Sequence, residues 1–416
     1  MANTHNILAI TEPFPIGQKI TAAVIEYEKA VSNDALSVDM FSVAGRNIVD
    51  VYANNVPEIV SEADSGKYVV LALDAGDADS ATLIRPEPPK FRPGGQGGPG
   101  GPGGPGGPGG PKRDLSSKRK DVFTVVSQLT DIKAADGTIL PAFSDEPNSR
   151  EMNVIVDSFQ TKELGGMEYS LFVPDCEEGK KYPLVMYIPD AEGCGKHVKI
   201  SLEQGNGAIS FAEPRMQEKH PCFIVCPQYS WGGALTKDSF TCNDQAMDTI
   251  YDIVKYVMDN YPVDADRVYA TGQSMGCMSS CELNVRHPDL FAASLLVAGQ
   301  WNPETMACLK DKNFWILVSE HDAKAFPGMT AVLNAMVEQG GKYNTYHWDA
   351  KAGFDKLNEL AAEAAEDGLN LRFTVFNGDS VVPDGVNINP GSNHVNTWPV
   401  VYRITALHEW LFAQHK

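Results

Sequence analysis

Positive charge is scarce in this chain, where 34 lysines and arginines stand against 54 aspartates and glutamates for a formal net charge of −20. Such a surface repels phosphate backbones and anionic lipid, so neither nucleic acid nor membrane is expected as a partner. Neutral or cationic substrates suit it better. Cysteine is sparse as well: eight in 416 residues make no disulfide framework, and no Cys/His group has the spacing of a metal site. Cys277 and Cys281, four apart, are expected to face a core. Neither a metal nor a cofactor is called for. Long apolar runs are also missing, since nothing approaches the roughly 18 residues of a membrane span. Residues 1–18 lack the basic start and sustained apolar stretch of an export signal, so the chain as written is expected in the cytoplasm. A trimmed leader would make it a secreted protein, and both locations stay open.

What the chain does have is apolar content, 43% of its residues, enough for two buried cores at this length. Residues 5–150 show short runs such as Thr21–Tyr27, Asn47–Tyr52, Lys67–Leu73 and Asp121–Val126 between turn-rich segments, which predicts an antiparallel β-sandwich over 1–150. The tract Pro93–Pro111 is almost pure glycine and proline, flanked by Lys112, Arg113, Lys118, Arg119 and Lys120. It cannot bury a core and is read as a loop between strands rather than a collagen-like segment. From about residue 151 to 416 strands alternate with helices, which predicts an α/β domain. Within it, Phe354–Glu366 is amphipathic and is expected either to pack on the sheet or to act as a lid.

The α/β region carries its chemistry in Gly272-Gln273-Ser274-Met275-Gly276. A serine hydroxyl is a poor nucleophile until a sharp strand-to-helix turn exposes it to a histidine base, with backbone N–H groups facing the developing oxyanion. The pentapeptide is common by chance, so its surroundings must carry the reading. Ala246–Tyr261 has helical apolar spacing, Pro262-Val263-Asp264 breaks it, and a β-branched run leads into the motif. Downstream, Phe314–Val318 reads as a buried strand that places Asp322 just past its C-terminal end, where open α/β sheets put their sites. The strand Leu371–Phe376 leads into a Gly/Pro/Asn-rich loop holding His394, ahead of a terminal helix around Val400–Phe412. Ser274, Asp322 and His394 thus fall in the nucleophile–acid–base chain order of this fold. His321 competes as base and Glu320 as acid.

Asp266–Gly276, Pro227-Gln228 followed by Trp231, His394 followed by Trp398 and Tyr402, and Trp410–Gln414 together resemble esterases related to polyhydroxybutyrate depolymerases and feruloyl esterases. The likeness extends to members fronted by an immunoglobulin-like domain. It implies an α/β-hydrolase fold, a mostly parallel sheet flanked by helices, preceded by a β-sandwich, and it covers about residues 150–416. The activity implied is carboxylic ester hydrolysis through an acyl-enzyme, on small or polymeric esters such as plant cell-wall aromatic or acetyl esters or polyesters. Gln228, Trp231 and Trp301 are the candidate substrate contacts, and the backbone N–H groups of Met275 and Ala191 the candidate oxyanion donors. One departure stands out: the family places His-Gly after the strand Pro183–Ile188, whereas this chain has Pro189-Asp190-Ala191. A carboxylate at Asp190 is expected to oppose oxyanion stabilisation. That keeps open a slow or inactive hydrolase domain serving as a polymer-binding module. A prolyl-oligopeptidase-like peptidase shares the elbow, but no propeller-like repeat precedes the catalytic part. No residue pattern specifies an oligomeric state.

Overall fold

The computed structural model describes residues 5–59, 63–86, 116–195, 197–229, 242–389 and 391–416. Trp231 and the Gly/Pro tract with Lys112 and Arg113 lie outside the described residues. The chain divides into two compact units, Met1–Ile84 with Arg119–Ser158, and Arg85–Lys118 with Phe159–Lys416.

In the first unit, a five-stranded sheet runs in the order Arg150–Asn153, His5–Glu12, Lys19–Ser32, Ser65–Leu73, Ile48–Asn54. A three-stranded sheet runs Phe143–Pro147, Val125–Gln128, Phe41–Val43. Successive residues of a strand point to opposite faces. Along Lys19–Ser32, Ala23, Ile25 and Tyr27 therefore enter the core shared with Phe41, Val43 and Val126, while Ala22 and Val24 join a smaller cluster with Leu8, Ile10 and Val70. One pairing departs from the antiparallel expectation: Arg150–Asn153 runs parallel to His5–Glu12, with Leu8 opposite Arg150. That pairing keeps residues 150–158 in the first unit.

The second unit is built on nine strands: β1 (Gln160–Leu164), β2 (Met167–Phe172), β3 (Tyr182–Ile188), β4 (Phe223–Gln228), β5 (Val263–Gln273), β6 (Ala293–Val297), β7 (Asn313–Ser319), β8 (Tyr343–Trp348) and β9 (Leu371–Phe376). Their order is β1-β2-β4-β3-β5-β6-β7-β9-β8. The β1–β2 and β2–β4 pairs are antiparallel and the remaining pairs parallel. Strands β3, β4, β6 and β9 are buried at every residue, as a sheet covered on both faces requires. Helix α1 (Asp244–Asn260) lays Met247, Ile250, Ile253, Val254 and Val257 on the core. Its first turn is capped by Asn243, whose side chain accepts the Ala246 N–H.

After β5 comes helix α2 (Met275–Arg286), and after β7 helix α3 (Ala325–Glu338). Helix α4 (Phe354–Ala365) buries Leu357, Ala361 and Ala364. The Arg372 side chain donates to the carbonyls of Ala364 and Ala365, so α4 is a packed element and not a lid. The C-terminal region differs from the single helix expected around 400–412. It forms α5 (Ser392–Val401) and α6 (Thr405–Phe412), and His394 sits in the first turn of α5 rather than in a loop. Pro399 lies near the C-terminal end of α5, where it forfeits one bond only, and the helix stops two residues later.

Candidate active site

The turn between β5 and α2 is held by close backbone packing. Ser274 has φ +51°, a conformation L-residues rarely adopt, and its N–H donates to the Val297 carbonyl at 3.0 Å. A Cβ on Gly276 would lie 1.9 Å from the Ile188 carbonyl oxygen, and one on Gly272 would lie 2.6 Å from the Gly276 backbone. Only glycine lets the end of β3 and the first turn of α2 come this close.

His394 Nε2 lies 2.8 Å from Ser274 Oγ, and its Nδ1 lies 2.5 Å from Asp322 Oδ2. Asp322 follows β7, and its other oxygen accepts the N–H groups of Lys324 and Ala325 at 3.1 and 3.0 Å. Burial raises this carboxyl, but the His394 hydrogen bond and charge and the two N–H groups outweigh it and hold Asp322 below the usual carboxylate range. Trp398, one turn along α5, stands edge-on to the His394 ring at 5.2 Å. The rival groups are engaged elsewhere. His321 is exposed and bonds Asp379 through Nδ1 at 2.8 Å, and Glu320 accepts the Gly378 N–H. Sequence reasoning missed the anchor beside His394: Asn393, buried, takes the Ser319 hydroxyl on Oδ1 and donates to Asp379. A buried asparagine beside a candidate base is a signal that its pairing, over 74 positions, hides from sequence.

At the end of β3, Ala191–Gly193 forms one 3₁₀ turn capped by Asp190, whose Oδ1 accepts the Glu192 N–H at 2.7 Å. Glu192 is pushed up to about 7 by burial and by neighbouring Asp190, against the pull of Arg85. Met275 begins α2, where helix geometry leaves its N–H without an intrahelical acceptor. Among the described residues, no bond is made by the Ala191 N–H. Two of the expected substrate contacts lie below the surface. Trp301 is 1% exposed and belongs to the main core, and Gln228 is buried with its Nε2 donating to the Gly193 and Gly195 carbonyls, so it shapes the turn from behind. A strand end facing the catalytic edge can still be roofed by the loops that follow it. The eight cysteines are free, and among the described residues no group of three or more His, Cys, Asp or Glu could hold a metal ion. No helix among the described residues is long and apolar enough to cross a membrane.

Comparison with known proteins bears on both units. Residues 6–141 match the esterase Ig-like N-terminal domain. The crystal structure of a thermostable esterase superposes on 99% of this chain and 100% of that one, with TM-score 0.78 and 26% identity. The chain has the build of a two-domain esterase. Its first unit is an Ig-like domain and its second has the α/β-hydrolase fold. A probable acetylxylan esterase A of Aspergillus clavatus is 27% identical over 126 residues. That stretch spans 28% of this chain and 41% of that protein, less than half the relative's length.

Proposed function

We propose that this two-domain esterase is a serine carboxylesterase in which Ser274 is the nucleophile, His394 the general base and Asp322 the acid that orients it. The observation that carries the reading is the continuous hydrogen-bond chain Ser274 Oγ–His394 Nε2 and His394 Nδ1–Asp322 Oδ2, at 2.8 and 2.5 Å. His394 takes the Ser274 proton as Oγ attacks the ester carbonyl, and the N–H groups of Met275 and Ala191 receive the oxyanion. Collapse expels the alcohol, which leaves with the proton held on His394, and the acyl group stays on Ser274. Water, activated by the same histidine, then releases the acid. Similarity to a protein named as an acetylxylan esterase supports acetyl esters of polysaccharides as substrates, ahead of feruloyl esters and polyesters.

The test is hydrolysis of p-nitrophenyl acetate and acetylated xylan by wild type, Ser274→Ala and His394→Ala, with fluorophosphonate labelling alongside. Wild type should turn over both esters and label at Ser274, and both variants should lose on the order of 10⁴-fold or more in kcat. Turnover that survives Ser274→Ala would move the nucleophile elsewhere. A wild type that binds polymer without hydrolysing either ester would leave the domain as a binding module.

A further inference from the structure

Asp190, the residue expected to oppose the oxyanion, has a different set of partners. Its Oδ1 accepts the Glu192 N–H at 2.7 Å, and its Oδ2 accepts Nε2 of Gln273 at 2.7 Å. Both side chains are buried, Asp190 8% and Gln273 1% exposed, so neither bond competes freely with water. Their positions in the chain are informative. Gln273 immediately precedes Ser274 and stands two residues before Met275. Asp190 immediately precedes Ala191. The two side chains thus connect the two backbone segments whose N–H groups are the candidate oxyanion donors.

We infer that Asp190 and Gln273 form a clasp that sets the spacing of the oxyanion hole, which makes both positioning residues for the ester hydrolysis proposed above, on which the inference rests. An oxyanion hole works only if its donors are already aimed, and the two donors here sit on segments 84 positions apart with no strand pairing beyond Ile188 and Gly272 to fix them. The clasp supplies the missing cross-tie past the end of the β3–β5 ladder. It acts where the Ile188 and Pro189 carbonyls are already packed against Gly276, so a small relaxation of the turn is transmitted directly to the first turn of α2. With both carboxylate oxygens engaged by donors, Asp190 is held by the turn and the elbow rather than left to face the developing charge. The Oε1 of Gln273 is buried without a partner among the described residues. A reversed amide could therefore accept from an asparagine at 190, whose own oxygen would keep the Glu192 cap.

That reversal makes the test specific. With p-nitrophenyl acetate, Asp190→Ala and Gln273→Ala should each lower kcat by about 100-fold, the effect of losing one oxyanion donor, with KM within about threefold of wild type. The double variant should be no worse than the poorer single one, because one tie is broken in all three. Asp190→Asn should recover to within about fivefold of wild type. If Asp190→Ala misfolds by thermal melt, Gln273→Ala and Asp190→Asn still decide, since both keep the cap on the Glu192 N–H. The inference is overturned if Gln273→Ala keeps wild-type kcat, if the two single losses multiply, or if Asp190→Asn is as slow as Asp190→Ala. A wild type that is inactive, or active without Ser274, would overturn the esterase reading instead.

Discussion

Asp322 has both carboxylate oxygens committed, one to His394 and one to the backbone N–H groups that open α3. Asparagine at 322 would keep the backbone bonds but present an NH₂ to Nδ1, forcing the imidazole into the tautomer that cannot accept the Ser274 proton. Asp322→Asn should therefore lower kcat on the order of 10⁴-fold with the melting temperature little changed, read by steady-state kinetics and calorimetry. The carboxyl is depressed in the fold, so the unfolded state binds its proton more readily. Its contribution to stability is present above the ordinary aspartate range and is lost as pH falls through the lower folded value. Ser274 and Asp322 could be picked out as candidates because each follows the end of a strand of the α/β sheet, and His394 because it comes after the last strand, which chain order prefers to His321 as base; chain order does not separate Asp322 from Glu320. The Asp190–Gln273 tie was not legible. It joins residues 83 positions apart, and a carboxylate in sequence carries no sign of which donors it will meet.

At the scale of the element, Arg372 is the residue most at odds with its strand. It lies in β9, is 4% exposed, and spans from Asp367 at 2.6 Å to the last carbonyls of α4, beside the Trp315 and Trp410 rings at 5.5 and 5.6 Å. One guanidinium thus terminates a helix, pairs with a largely buried carboxylate and packs against two indoles. Removing Arg372 leaves Asp367 with the Tyr346 hydroxyl, the Asn344 amide and the Leu369 N–H but no counter-charge, so Arg372→Leu should destabilise the domain by about 3 kcal/mol in urea unfolding, and α4 should lose its hydrogen-exchange protection first. A variant within 1 kcal/mol of wild type, about the value of an exposed pair, would show that Asp367 finds water on its own. Two strands of this sheet were easy to read, Phe314–Val318 within β7 as a continuous apolar run and Leu371–Phe376 as β9 itself from its alternating β-branched and aromatic residues. Helix α5 was not, because Pro399 and the preceding Asn389-Pro390-Gly391 imitate a loop. The burial of Trp301 was hidden for a related reason, since a sequence does not say which loop closes over a strand end.

For the whole molecule, charge and one buried histidine set the response to solution conditions. His408 is 1% exposed, packs at a tilt against the Phe211 ring at 4.3 Å, and has an Nδ1 without a partner among the described residues. Burial lowers it from 6.5 to about 4. Between those values the unfolded chain takes up a proton that the folded chain refuses, so stability falls as pH falls through this window, by about 3 kcal/mol at pH 4 from this group alone. His408→Phe keeps the ring against Phe211, and Ser210 retains its bond to the Gly207 carbonyl, so the variant should lose that part of the pH dependence in chemical denaturation series. An unchanged slope would mean that His408 is not the group responsible. The net charge of −20 should also weigh on substrate choice. Raising salt shortens the screening length from about 30 Å at 0.01 M to about 8 Å at 0.15 M. kcat/KM should accordingly rise with salt for an anionic ester and stay flat for a neutral one of equal size.

The parallel strand pair of the first unit has a consequence for synthesis. His5–Glu12 completes one edge only when Arg150–Asn153 arrives, and the buried bond from Thr11 Oγ1 to Asn153 Oδ1 spans 142 positions. At translation rates of about 5–20 residues per second, that interval lasts roughly seven to thirty seconds. Until then the growing chain carries an unpaired row of backbone donors and acceptors beside apolar Ile7, Ala9 and Ile10, the kind of edge that recruits a second strand from a neighbouring chain. Fragments that stop short of residue 150 should therefore aggregate where fragments that run past residue 158 do not.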